Sequence, residues 1–439
     1  MNKHIYLIRI LLILTVFAET ISNSFARSSN NEVVPINKSR FSNEVVADSV
    51  LTQWRTLLKF TCEEIFNDWW TTIPDLKDNH QKTENNYLID FGYLENNLKK
   101  GEFGKETKGG IRDAAEYAYT LAVIIFTDSH ESMMIDIPKS EIIQRTTLLI
   151  RSLAKDHKVN GGIDHPWGNQ WQSAQWAGKV AVAGWLMWEY LDKEDKNNVT
   201  RMIEYEANRF LNNIPPYANG NYMFNTNAEE VGWNATALQI ACAMLPYHSN
   251  YNAWLEKSHE YRLAAVAMPT DLKNESIVEG KKVKDRVSGY NIDTLGALGN
   301  HYAYPHPDYM AAPLRHSIEG ALFLQLGGQS IPAVNKFNCS RIYSNFNDYA
   351  WYGDSTIYKR DGTIYWPIGL FETKRRFELT KYSLIDLGAQ ILGYDESSSV
   401  KGEYWEKMHL AKAIELKRTE YLSASGYLFK WIQYSTNDN

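Results

Sequence analysis

Three stretches of the chain hold side chains that can move protons or grip an anion. The densest is NHYAYPHPDYM, Asn300 to Met310, with two histidines, three tyrosines and two prolines in eleven residues. Pro305 and Pro307 each remove a backbone donor and push the preceding residue toward extended geometry, so a loop is expected here. Histidine and tyrosine side chains together suit proton abstraction and return near neutral pH, which makes His301, His306, Tyr302, Tyr304 and Tyr309 candidates. Structural loop histidines and a metal site are the competing readings. The chain has no HExxH, no Cys pair and no acidic ligand cluster beside this loop, so no metal and no cofactor is expected.

The second stretch is NAEEVGWNA, Asn227 to Ala235. Glu230 and Asn234 stand four apart and share one helix face. Asn227 is placed to cap that helix, with Glu229 and Glu230 at its positive end. An inward-facing Glu–Asn pair would instead hydrogen-bond a substrate carboxylate if the glutamate is protonated, which burial favours. The third stretch is HPWGNQWQSAQW, His165 to Trp176. Trp167 and Trp171, and likewise Gln172 and Trp176, are also four apart. A core helix needs tryptophan but has little use for Gln172 and Gln175 in the same turn, so this end is expected to line a sugar cleft.

These stretches must be held by helices. Apolar residues recur at helical spacing through segments such as VLTQWRTLLKFTCEEIFNDWW, NQWQSAQWAGKVAVAGWLMWEYL and EYWEKMHLAKAIELKRTEYL, separated by short Gly-, Asn- and Pro-rich turns. Ten to twelve helices are expected, with only short β-like runs, of which STIYKRDGTIYWPIG is the clearest. Some helices are amphipathic and others almost wholly apolar, an alternation that points to two concentric layers: an all-α chain, an (α/α)6-7 toroid. A superhelical repeat array is the rival, but no repeat of fixed period is found.

Residues 1–26 carry Lys3 and Arg9 around an apolar run and end in Ser24-Phe25-Ala26, the pattern of a cleaved signal peptide rather than a membrane anchor. A flexible polar lead-in over 27–48 and one domain over 49–439 are expected to follow, with export to the periplasm or beyond. A net charge of −6 argues against nucleic acid as partner. An anionic substrate is still open, because a few arginines in one cleft set the local field. Cys62, Cys242 and Cys339 are too few and scattered for a disulfide framework. The 14 tryptophans and 27 tyrosines exceed ordinary usage, which favours core anchors and also flat platforms for sugar rings. Self-association as a homodimer is left open.

In that order WGNQWQSAQWA, NAEEVGWNA and NHYAYPHPDYM resemble motifs of heparinase-like and alginate-lyase-like α/α-toroid polysaccharide lyases, most nearly polysaccharide lyase family 38, whose members act on alginate or glucuronan. The resemblance spans roughly residues 110 to 380. Its best-defined part is Asn300, His301, His306, Pro307 and Tyr309. The chain departs from the pattern at Gly299, where an acidic residue is expected, and in carrying Tyr302 and Tyr304, so which tyrosine is catalytic stays open. The resemblance implies metal-independent β-elimination on an anionic polysaccharide. On that basis Glu230, Asn234 and His301 would contact the uronate carboxylate, with Arg315 as a supporting cation. Tyr309 would be the acid, and also the base in a syn elimination; His306 would be the base in an anti one. Asn300 and the tryptophan stretch would bind sugar, and Arg375 and Arg376 would meet neighbouring uronates or form a solvated face.

Two rivals remain. An inverting hydrolase on the same architecture needs two carboxylates about 6.5–9.5 Å apart, which Asp113, Asp164, Asp293 and Glu230 could supply, but it does not require the His–Tyr loop. A non-catalytic glycan-binding protein would use the tryptophans and gain nothing from clustered His and Tyr.

Overall fold

The computed structural model describes residues 32–41, 48–72, 88–89, 110–162, 165–221, 226–351, 353, 355–366, 378–417 and 422–435. Within them the chain is predominantly helical, as its periodicity predicts. Twelve helices follow in order: α1 (Ser49–Glu64), α2 (Ile111–Phe126), α3 (Lys139–Asp156), α4 (Ser173–Leu186), α5 (Lys193–Asn208), α6 (Ala228–Met244), α7 (Tyr251–Ala265), α8 (Pro307–Leu326), α9 (Cys339–Asn347), α10 (Leu379–Leu392), α11 (Gly402–Glu415) and α12 (Leu422–Ser435). A π turn at Ile65–Trp69 carries α1 on to Thr72. The described strands are one two-residue pair, Ile277–Val278 against Lys281–Lys282. Among its described residues, the run singled out as β-like makes isolated bridges, Ser355 to Trp351 and Tyr358 to Ile364. No described helix is long and apolar enough to cross a membrane.

Helix starts follow local chemistry. The Asp48 carboxylate accepts from the Leu51 amide at 2.6 Å to open α1, and the Asp192 carboxylate accepts from the Asp195 amide at 2.9 Å to open α5. Pro307 opens α8, where its missing donor is harmless and its fixed φ already suits a helix. Pro313, inside α8, removes the donor that the Tyr309 carbonyl would otherwise receive.

Two kinds of helix alternate. Every residue of α4 is buried, and so is every residue of α8 except Gln325. By contrast, α3, α5 and α11 keep exposed polar faces. The buried helices pack in sequence: α2 on α4, α4 on α6, α6 on α8, α8 on α10 and α10 on α12, and α12 packs on α2. The others lie against them, α3 and α5 on α4, α7 on α6, α11 on α10 and α1 on α12. At the α1–α12 contact a Cβ on Gly426 would stand 2.1 Å from the Trp54 ring, so the close approach needs glycine. Trp54 is wholly buried and donates its indole N–H to Glu406 at 2.8 Å.

The expected signal peptide, 1–26, lies outside the described residues. The flexible lead-in expected over 27–48 is corrected for residues 32–41, which are docked; 27–31 and 42–47 lie outside the described residues. The Val34 amide donates to the Met244 carbonyl at 2.8 Å, and the Val34 carbonyl accepts from the Trp185 indole at 2.8 Å. Arg40 donates to the Gln325 and Leu326 carbonyls at 3.1 and 3.4 Å, a cation on the negative end of α8. Phe41 is buried against Trp431 and Phe126, ring centroids 5.2 and 6.2 Å apart. The segment reads as polar, yet Val33 and Phe41 give it two apolar anchors. Ten residues thus touch α2, α4, α6, α8 and α12 near their carboxyl ends, which places those ends together and the amino ends on the opposite side.

Candidate active site

The sequence candidates gather at the amino ends of α4, α6 and α8. Asn300 and Ala303 exchange backbone hydrogen bonds, amide to carbonyl at 3.0 and 2.9 Å. The two residues between them, His301 and Tyr302, have φ of 48° and 65°, the left-handed pair of a tight two-residue turn. The Asn300 side-chain oxygen accepts from the His301 amide at 2.8 Å, which ties the turn to itself. The turn aims His301 at α8, where its Nε2 stands 2.8 Å from the Tyr309 hydroxyl. His306 caps α8 with extended backbone and packs its ring edge-on against Tyr309, centroids 4.7 Å apart. Trp366 also packs edge-on with that imidazole, centroids 5.5 Å apart. One phenol is therefore held between two imidazoles in the first turn of a helix, whose positive end favours negative charge on the phenol oxygen.

Glu230 and Asn234 form the second group, one turn apart on α6. Burial, and then the neighbouring charge of Glu229, pushes the Glu230 carboxyl up to about 7. The Asn234 side-chain oxygen is buried without a hydrogen-bond partner. The expected Asn227 cap is corrected: Asn227 is left-handed at φ 56° and makes no side-chain cap. The Ala228 amide donates instead to the Thr226 hydroxyl at 3.4 Å. Trp233, between Glu230 and Asn234 on α6, lies edge-on to His316 of α8 at 6.1 Å. Tyr309 is seven residues before His316, hence on the same face of α8 and about 10 Å along its axis. The two groups thus sit on facing helices.

The tryptophan stretch divides. Trp171 is 50% exposed and packs on Trp233 with centroids 4.9 Å apart, so it can meet a sugar ring. Trp167 and Trp176 are corrected to core residues: both are 1% exposed, and Trp167 donates its indole to the Leu153 carbonyl at 2.9 Å. Gln172 and Gln175 are buried, with amide atoms that find no protein partner. Tyr302 is 71% exposed at the turn tip. Tyr304 is an anchor rather than a sugar contact: its hydroxyl donates to Asp293, whose other oxygen accepts from the Leu295 and Ala297 amides at 2.9 and 2.8 Å. That role also occupies one carboxylate of the hydrolase reading; Asp164 of the same reading, like Arg375 and Arg376, lies outside the described residues.

Arg315 is likewise corrected. It is 3% exposed and faces two carboxylates, Glu319 at 3.4 Å and Glu116 at 3.7 Å. Lys179 joins them, 2.7 Å from Glu319 and 3.3 Å from Glu116, and Ser425 donates to Glu319 at 2.7 Å. Burial alone would raise the Glu319 carboxyl, but the charges of Lys179 and Arg315 outweigh it and hold Glu319 below the usual carboxylate range. Arg315 thus belongs to an ion cluster joining α2, α4, α8 and α12. Sequence reasoning missed that cluster, although Lys179 in AGKVAVAG and Glu319 in IEGALFLQL are lone charges on apolar helices, which is a readable signal. It also missed Lys381, which pairs with Asp308 beside Tyr309 and with Glu378 at 2.7 Å. No group of three or more metal-ligating side chains occurs among the described residues.

No family model, no curated protein and no solved structure matches the chain.

Proposed function

We propose that this chain is an exported polysaccharide lyase that cleaves a uronic-acid polymer of alginate or glucuronan type by β-elimination, on an (α/α)6 toroid. The cyclic packing of α2, α4, α6, α8, α10 and α12, with the remaining helices outside, supports the architecture. The observation that carries the chemistry is the Tyr309 hydroxyl 2.8 Å from His301 Nε2, at the amino end of α8 across from a glutamate that titrates near neutrality.

The C5 proton of a uronate is very weakly acidic while its carboxylate keeps full charge. Protonated Glu230 and the Asn234 amide would hydrogen-bond that carboxylate and stabilise the enolate as it forms. His301 accepts the Tyr309 proton, and the phenolate removes the C5 proton. The electron pair forms the C4–C5 double bond, the C4–O bond breaks, and the phenol returns its proton to the departing oxygen. One residue serving as base and then acid is the syn route. His306, packed on the same ring, is the base of the anti route. Trp171 is the surviving platform for a neighbouring sugar.

Ultraviolet absorbance with polymannuronate, polyguluronate, glucuronan, hyaluronan and heparin tests the reading, because each elimination leaves a conjugated 4,5-unsaturated uronate. A rise with one polymer names the substrate. New reducing ends without a rise replace the lyase by the hydrolase.

A further inference from the structure

A narrow cavity lies between α4, α6 and α8, one turn below Glu230 and Asn234, and none of the chemistry above uses it. Its polar lining is Gln175, Lys179, Trp233, Thr236, His316 and Glu319; the rest of the wall is apolar, and the space suits about one water-sized particle. Three of these side chains, each more than nine-tenths buried, bring polar atoms that have no protein partner: both amide atoms of Gln175, Nε1 of Trp233 and Nε2 of His316. Trp233 Nε1 is a donor only, and the Gln175 amide and one tautomer of His316 supply two more donors. The carboxylate on the wall, Glu319, is already met by Lys179 and Ser425, both at 2.7 Å.

Behind the wall sits Arg262, wholly buried. Its guanidinium donates to the Gly232 carbonyl at 3.4 Å, the Thr236 hydroxyl at 3.1 Å and the Gln239 amide oxygen at 2.7 Å, none of them a carboxylate. Burial lowers its pKa to about 10, which leaves it charged at neutral pH. A buried cation with only neutral acceptors is unfavourable unless an anion lies nearby. Glu319 on the cavity wall is the carboxylate whose charge reaches Arg262, and Lys179 and Arg315 already share it. A water, with two acceptor sites, would leave one of the three donors unmet and add no negative charge. A small anion answers both.

We propose that this cavity binds one monovalent anion of halide size, which accepts hydrogen bonds from Trp233 Nε1, the Gln175 amide and His316 Nε2 and offsets the charge of Arg262. The size of the space favours a free ion over the carboxylate of a sugar. Bound there, the ion would tie α4, α6 and α8 together beneath the amino ends that carry Gln172, Glu230 and Tyr309.

The test is thermal unfolding of the full chain in sodium chloride or bromide against sodium sulfate at equal ionic strength. The halides are expected to raise Tm saturably, by about 3 °C near a hundred times Kd, while sulfate does not. Bromide-soaked crystals are expected to show an anomalous peak in the cavity. Trp233→Phe keeps an aromatic side chain, though a smaller one, and removes one donor; it is expected to weaken halide affinity at least ~10-fold. Superimposable halide and sulfate curves, or cavity density with no anomalous signal, would mean water alone and overturn the proposal. Stabilisation by free glucuronate and not by halide would overturn the free ion in favour of a sugar carboxylate. Since none of these readouts needs turnover, the anion cavity and the lyase reading succeed or fail separately.

Discussion

Among the described residues, two clusters that each combine histidine with tyrosine differ in everything except composition. At the amino end of α8, Tyr309 lies between His301 and His306, beside an exposed turn. Between α9, α10 and α11, His409 Nδ1 is 2.7 Å from Asp386, and the Tyr343 hydroxyl donates to the other Asp386 oxygen at 2.9 Å. Tyr358 packs on His409 at 4.5 Å and Trp405 stacks parallel to it at 5.8 Å. All five of these residues are buried. Burial raises the Asp386 carboxyl, and the His409 charge and the tyrosine hydrogen bonds oppose that rise. The second cluster has what an acid–base relay needs except a route for substrate. Residue type therefore does not separate chemistry from scaffolding. The turn at Asn300–Ala303 and the helix ends beside it do, because they leave one cluster within reach of solvent.

The comparison breaks most sharply on tyrosine. Tyr309→Phe is expected to lower kcat by ~10³-fold, within the range for loss of a positioned acid–base group, with Tm nearly unchanged. Tyr343→Phe is expected to do the reverse, losing about 1–3 kcal/mol of stability as a buried acceptor goes unpaired, with kcat of the folded protein intact. Initial rates and urea unfolding on both variants decide it; equal loss of rate in both would erase the distinction drawn here. His409→Ala sharpens the contrast, with an expected loss of about 3–5 kcal/mol because Asp386 is left as a buried, half-paired charge.

The docked amino-terminal segment comes next. Phe41→Ala is expected to destabilise by about 3 kcal/mol through the cavity it leaves between Phe126 and Trp431. Catalysis by the folded fraction should not change, since the site is at the other helix ends; a lower kcat at full folding would argue for coupling between the two ends.

Glu230 gives a pH signature. Its folded pKa of about 7 is above the ordinary carboxyl value of 4.5, so between those values the folded state holds more proton than the unfolded one. Stability therefore declines as pH rises from 4.5 to 7, the opposite sign to a salt-bridged carboxylate. The hydrogen bond to substrate is lost over the upper part of the same window, so kcat/KM should fall above pH 7. Glu230→Gln keeps a donor at all pH and is expected to remove that limb of the profile. The smallest effect is expected at Tyr302, on the turn tip: Tyr302→Phe should change stability by less than about 0.5 kcal/mol.

Much of this was legible in the chain. Apolar spacing marked the helices, and the absence of a polar face on α4 and α8 marked the helices covered on all sides. Pro305 and Pro307 marked a loop, and its His and Tyr content marked the candidate centre, but the loop expected over Asn300–Met310 ends early: Pro307 opens α8, so Tyr309 stands in the first turn of a helix. Burial could not be read at single aromatic positions. Trp167, Trp171 and Trp176 share one pattern, and only the packing of α4 on α6 shows that Trp171 faces out. Nor could the chain show that Tyr304 spends its hydroxyl on Asp293, or that Arg315 faces Glu116 about two hundred residues earlier. The polar lead-in misled for a related reason: two apolar side chains suffice to dock a short segment onto helix ends with exposed carbonyls.

The division follows from the range of the forces. Helix periodicity, proline geometry and capping act within a few residues, so the sequence by itself determined where helices run and where the His–Tyr loop interrupts them. Burial, ion pairing and the rise of the Glu230 pKa depend on residues brought together from distant helices. Those only the tertiary structure decided, because desolvation and Coulomb energies depend on distance in space and not along the chain.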